Sequence, residues 1–289
     1  MKIITPKIVK MGNSTVKRIL PRVEKRTIGP FVFLDQIGPE WIPAEKGIEV
    51  LPHPHIGLST VTYLYEGELI HRDSIGSIQS IHPLEINWMT AGRGISHSER
   101  SSKELTKKGF QIHGLQFWVG LPIQKEEMQP EFQHIPENLL PIIQKENYSI
   151  RVLAGEYNGH QANTKIQSPL LLLDVRLYKS AKFIFDANKF EIGIYIVKGK
   201  IRLNGTTFSS ENLLIPDFDH SLEIIAEENS ILCIFGGEEF SEPRFMDWNF
   251  VSSDKEKIIR AKKEWSEQNK EIYKPVPDET SYIPYPIIK

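Results

Sequence analysis

The sequence predicts an all-β protein made of two related antiparallel β-barrel domains, and three observations predict it. Short apolar runs broken by Gly, Pro, Asn and Asp cover most of the 289 residues, the punctuation of strands and turns rather than of helices. The segment Tyr63-Leu64-Tyr65-Glu66-Gly67-Glu68-Leu69 is echoed 132 residues later by Tyr195-Ile196-Val197-Lys198-Gly199-Lys200-Ile201, each reading as a strand, a Gly turn and a returning strand. The exception to this texture is a helix-period stretch near the C-terminus.

Taken in order, residues 1–26 carry eight Lys or Arg against Glu24 alone. These are interspersed with Ile3, Ile8, Val9, Val16, Ile19 and Leu20, so the strip reads as a solvated strand edge rather than a docking patch. His53-Pro54-His55 is followed by the strand-like run Leu58 to Leu64, and Ile86-Asn87-Trp88-Met89 leads through the Ala91-Gly92-Arg93-Gly94 turn to His97-Ser98-Glu99. His82-Pro83-Leu84-Glu85-Ile86 is echoed by Ser210-Glu211-Asn212-Leu213-Leu214 at a slightly shorter offset. Leu121-Pro122, Gln129-Pro130 and Pro141 fall in or beside a polar stretch of residues 123–148, the expected connection. The domains are therefore drawn as 1–130 and 131–289. Ser253-Asp254-Lys255-Glu256 has the form of a capping box, and Ile258, Ile259, Ala261, Trp265 and Ile272 form an apolar stripe ending before Pro275, which predicts a short C-terminal helix.

The two histidine motifs carry the chemistry. Residues two apart on a strand project from one face, so His53 with His55 and His97 with Glu99 are same-face pairs, and two such strands facing one another would converge four donors. Three imidazoles and a carboxylate suit a divalent first-row transition metal far better than calcium or magnesium. A single pair would be as well explained by solvated histidines; two pairs this close favour metal. Carried forward by 132 residues, His53 and His55 map to Phe185 and Ala187, so the second domain is expected to be metal-free. His160 and His220 lie far apart and are given loop roles.

Cys233 is the only cysteine, which excludes an intramolecular disulfide; within Ile231-Leu232-Cys233-Ile234-Phe235 it reads as a buried strand thiol in a reducing compartment. Met1 to Lys7 lacks the apolar core of a secretory signal and no stretch is long enough to span a bilayer, which points to the cytoplasm and away from the membrane. A net charge of -2 carries no footprint for nucleic acid.

Several blocks together resemble the pirin family of two-domain cupins: Leu34-Asp35, His53-Pro54-His55, Thr60 to Leu64, Glu66-Gly67-Glu68, His71-Arg72-Asp73-Ser74 and Trp88-Met89-Thr90-Ala91-Gly92-Arg93-Gly94-Ile95. Gly114 to Val119 with Leu121-Pro122, and Phe235-Gly236-Gly237-Glu238 with Glu242-Pro243, extend the likeness over nearly the whole chain. The resemblance implies a bicupin, two jelly-roll barrels, with one ion, usually taken as iron, held by His53, His55, His97 and Glu99 in the N-terminal domain. It implies a dioxygenase that opens the ring of a flavonol such as quercetin with O2, Glu99 serving as ligand or as general base. Where many relatives have Arg-Gly-Phe-Glu after the second histidine, this chain has Ile56-Gly57-Leu58-Ser59, so a charge pair near the site entrance is missing, a departure that bears on substrate preference.

The rival reading is a metal- or redox-sensing regulator that acts through a protein partner; the ligands are the same under both, and fold likeness does not choose between them. His113 and Gln116, in an apolar strand, are candidates for second-layer donors to the ligands or for satisfied core polar residues. His71-Arg72-Asp73 has the letters of a kinase catalytic loop, but it comes without a Gly-rich phosphate loop, an Asp-Phe-Gly or a strand lysine in context, and is set aside.

Overall fold

A computed structural model of the chain describes residues 1–11, 14–186, 190–217 and 221–286. It is built of antiparallel strands with two α-helices among the described residues, in agreement with the all-β expectation. Strands run β1 Lys2–Ile4, β2 Lys7–Met11, β3 Ser14–Leu20, β4 Phe31–Ile42, β5 Glu49–His55, β6 Leu58–Glu66, β7 Leu69–Asp73, β8 Ile78–Ile81, β9 Ile86–Thr90 and β10 Ile95–Arg100. Helix α1, Lys103–Lys108, precedes β11 Phe110–Gly120 and β12 Glu131–Ile135. The second copy comprises β13 Ile142–Gln144, β14 Tyr148–Ala154, β15 Glu156–Tyr157, β16 His160–Gln161, β17 Leu170–Leu177, β18 Lys182–Phe185, β19 Glu191–Lys198, β20 Lys200–Leu203, β21 Thr206–Ser209, β22 Leu213–Ile215, β23 Leu222–Ala226 and β24 Ser230–Gly237. The hairpin β25 Phe245–Asp247 with β26 Phe250–Ser252, and helix α2 Lys255–Ser266, complete the chain.

The repeat read from the sequence is a repeat of topology. Strands β5-β10-β7-β8 form one four-stranded sheet and β18-β23-β20-β21 another in the equivalent order. The larger sheets are β12-β9-β6-β11-β4-β3-β2 and β1-β22-β19-β24-β17-β14-β13. Gly67 and Gly199, the turn glycines of the echo, have φ of +88° and +93°. A Cβ at either would come within 2.7 Å of a backbone carbonyl oxygen, Gln111 or Asn229, so glycine is required at both turns. In the second echo Leu84 and Glu211 share positive φ, +70° and +69°, and each donates its N–H to the strand carrying the first echo, to Leu64 and Ile196. That pairing sets the local offset at 127 residues, 211 minus 84.

Compactness divides the chain into two interleaved units, residues 1–7, 18–32 and 138–239, and residues 8–17, 33–137 and 240–289. A single cut after residue 130 follows the sequence repeat, and as a domain boundary it is a proposal. The first of these units is filled with apolar side chains, including Phe183, Phe185, Leu203, Leu222 and Ile224. Phe185 pairs with Leu222 across β18 and β23 as His53 pairs with His97 across β5 and β10. Ala187 and His220 lie outside the described residues; His160 is exposed on the β15–β16 hairpin.

Helix α2 forms where expected, but its cap moves by one residue. Asp254, not Ser253, is the N-cap, its side chain accepting from Glu256 N at 2.9 Å. Ser253 is engaged elsewhere, its N–H and hydroxyl both donating to the buried Glu126 carboxylate. Ile258, Ala261 and Trp265 are buried as predicted, whereas Ile259 faces solvent and Ile272 joins the same cluster from beyond the helix end. Helix α1 was not expected: Ser102 caps it and Gly109 ends it, but it buries no residue, so no apolar stripe announces it. Among the described residues no helix is long and apolar enough to cross a membrane.

Candidate metal centre

Strand β5 carries two prolines around its histidines, which a central strand would not tolerate. It is the edge of its sheet, where a missing N–H costs no ladder bond. Pro52 O is used by the C-terminal segment, accepting from Ile283 N at 2.8 Å. Next to it, β10 runs antiparallel with Ile95 opposite His55 and His97 opposite His53, and the register slips between His97 and Glu99. The two histidine motifs are thus neighbours in one sheet rather than strands on opposing sheets. Both project toward the larger sheet: Thr62 of β6 approaches Glu99, and Trp118 of β11 meets the His55 ring edge-on at 5.2 Å.

His53, His55 and His97 are buried, with ligand atoms all within 4.8 Å of one another. Ring centroids of His53 and His97 lie 4.4 Å apart. Glu99 is not in that close group. It projects two residues further along β10, fully buried, with Oε1 3.3 Å from the Thr62 hydroxyl, which in turn donates to Gln116 Oε1 at 2.8 Å. Gln116 therefore reaches the carboxylate through Thr62. His113 lies instead beside Tyr65, ring centroids 4.9 Å apart.

Hydrogen bonding fixes which nitrogens are free. His53 Nδ1 donates to Leu51 O at 2.9 Å and His55 Nδ1 to Asn249 O at 3.2 Å, leaving lone pairs on both Nε2 atoms. Burial lowers the His53 pKa from 6.5 to about 4, and burial, with neighbouring imidazoles, holds His55 and His97 well below the usual histidine range. Neutral imidazoles with convergent lone pairs are what a metal requires. His55 Nε2 and His97 Nε2 are 3.1 Å apart, a distance that two lone pairs do not hold without a proton or a cation between them. The donor set thus fits a divalent first-row ion. Burial raises the Glu99 pKa, a shift that a nearby cation would oppose.

A cavity of about 440 Å³ leads to Glu99. Val16, Ile37, Ile42, Val50 and Leu69 give it apolar walls. Such a volume falls within the roughly 300–1,000 Å³ of small-molecule sites.

His71 is the functional candidate that the sequence reading set aside. It lies on β7 opposite Glu99, with Nδ1 3.3 Å from His97 Nδ1 and Nε2 2.9 Å from Asp73 Oδ2. The alternation of His71 and Asp73 on a strand was the available signal.

Residues 13–119 match the family described as Pirin, and residues 172–271 match the family described as Pirin C-terminal cupin domain. A pirin-like protein of Caulobacter vibrioides is 39% identical over 279 residues, covering 96% of this chain and 96% of its own length. Human pirin is 28% identical over 262 residues, covering 85% of this chain and 84% of its own. A solved structure named quercetin 2,3-dioxygenase, from Acinetobacter baumannii, is similar with a TM-score of 0.92 at 32% identity, covering 100% of this chain and 95% of that one.

Proposed function

Because the chain belongs to the pirin family of two-domain cupins, we propose that it is a metal-dependent dioxygenase. It opens the ring of a flavonol such as quercetin with O2 at a mononuclear site held by His53, His55, His97 and Glu99. The observation that carries this reading is the convergence of three neutral imidazole lone pairs beside a buried carboxylate at the inner end of an apolar cavity. A solved relative that bears the name quercetin 2,3-dioxygenase supports the substrate class.

The bound ion, which we take as Fe(II), would supply Lewis acidity toward an enolic hydroxyl and access to oxygen chemistry. The three histidines fix its position, each held by its Nδ1 partner. Glu99 takes the substrate's hydroxyl proton on a carboxylate oxygen, and the raised pKa that burial gives it makes it a stronger base once ionised. Thr62 steadies that carboxylate through its hydroxyl. The apolar cavity walls receive the flat face of the substrate and exclude bulk water from the activated form. The buried lone thiol is consistent with action in the cytoplasm.

The test compares metal-loaded wild type with Glu99→Gln. Turnover should fall by about 10²–10⁴-fold, the usual worth of a general base, while flavonol binding followed by fluorescence changes little. Flavonol decay undiminished in Glu99→Gln would keep the enzyme and remove the carboxylate from the base role. No decay with any first-row metal would favour the regulator.

A further inference from the structure

The three histidines differ in what holds them. His53 and His55 each donate Nδ1–H to a backbone carbonyl. His97 Nδ1 instead faces another imidazole, His71 Nδ1, at 3.3 Å. His71 Nε2 lies 2.9 Å from Asp73 Oδ2, and Asp73 Oδ1 accepts Ile75 N–H and Ser77 N–H at 3.0 Å each. Asp73 is 0% exposed and His71 5%. The His71 ring also stacks on Phe132, with centroids 4.5 Å apart and planes at 17°, so it is not free to turn.

These contacts leave one consistent placement of hydrogens once a cation lies among the Nε2 atoms. His97 Nε2 must then be a lone pair, and its hydrogen sits on Nδ1. The group facing that hydrogen is His71 Nδ1, which must accept, so the His71 hydrogen sits on Nε2. There it meets Asp73 Oδ2, whose fellow oxygen is already satisfied by two peptide N–H groups. The chain Asp73–His71–His97 closes with no donor facing a donor.

Resting on the metal-site reading above and deepening it, we infer that His71 and Asp73 are positioning residues for the metal. Together they lock His97 in the tautomer that offers Nε2 and make it a stronger donor than His53 or His55. The physical reason is that an imidazole hydrogen-bonded toward a carboxylate is more basic than one bonded to a peptide carbonyl, and outer partners of this kind are typically worth about 10–100-fold in metal affinity. The strand register supports the assignment. Strand β7 alternates Leu69, His71 and Asp73 toward the interior, and places Asp73 opposite His97 and His71 opposite Glu99.

Two measurements test it on the full chain. In the Zn(II)-loaded protein, long-range proton–nitrogen correlation of the histidine rings should show hydrogen on Nδ1 of His53, His55 and His97 and on Nε2 of His71. A His71 hydrogen on Nδ1 would overturn the inference, and this readout needs no variant. Second, His71→Phe keeps the stack on Phe132 but removes both nitrogens, and should weaken Zn(II) binding, measured by chelator competition, by about 10–100-fold. His71→Gln, whose amide can accept from His97 and donate to Asp73, should recover most of that loss. Wild-type affinity in His71→Phe would overturn the positioning role while leaving the metal site standing. Failure of the wild type to bind zinc, nickel, cobalt or iron would remove the site and this inference together. Absence of flavonol turnover in a protein that binds metal would touch only the substrate assignment.

Discussion

His53 and His97 are register partners on neighbouring antiparallel strands, their ring centroids 4.4 Å apart. That relationship turns two short motifs separated by more than forty residues into one centre. It also locates the equivalent place in the second copy, where Phe185 sits opposite Leu222 and no nitrogen or oxygen replaces the imidazoles.

The stoichiometry follows from that substitution of chemistry. Elemental analysis after removal of loosely bound ions should give one metal per chain. Two tightly held ions would mean that a second ligand set exists in the other unit.

His97→Ala should lower metal affinity and turnover together, since it removes the imidazole that closes the group with His53 and His55. Cys233→Ser should leave occupancy unchanged, because Cys233 is buried on β24, opposite Asp174 and Tyr195. Metal loss in the Cys233 variant with its circular dichroism intact would reveal a missed ligand.

The metal-free protein should lose stability as pH falls from 6.5 toward 4. His53 has a folded pKa of about 4 against an ordinary 6.5, and His55 and His97 shift the same way. Above 6.5 both states are neutral at these rings and their full contribution is present; below it the unfolded chain takes protons that the folded chain refuses. Glu99 acts in the opposite sense, its raised pKa adding stability as pH falls, but it is one group against three. Melting temperature against pH should fall less steeply in His53→Gln, and equal slopes would contradict the assignment.

Glu126 should prove structurally costly to remove. Its carboxylate is buried and accepts from Ser252, Ser253 and Lys257, with Arg244 Nε at 3.4 Å. Breaking such a buried set by deleting one partner typically costs about 3–5 kcal/mol, so Glu126→Ala should shift the urea midpoint strongly. A shift below about 1 kcal/mol would show that the charges find solvent instead.

Much of this was legible in the sequence because it is local. Same-face spacing within a strand exposed His53, His55, His97 and Glu99, and the Tyr-x-Tyr and Gly echoes exposed the repeat. What was not legible depends on pairing between distant strands. The Asp73–His71–His97 chain exists only because β7 and β10 are neighbours in a given register, information that no spacing within one segment contains. The cap of α2 was misplaced for the same reason: Ser253 has the right letter, but Glu126, far away in sequence, claims it. Glu99 was grouped with the imidazoles by alternation alone, and the structure sets it beside them at the cavity's end.

The measurement that bears most directly on the central claim is carbon monoxide release from quercetin by the iron-loaded wild type in air, with metal-free protein and His97→Ala alongside. The account predicts carbon monoxide rising in step with flavonol loss in the loaded wild type and near-background release in the other two. Flavonol loss without carbon monoxide, or equal rates in all three proteins, would contradict it.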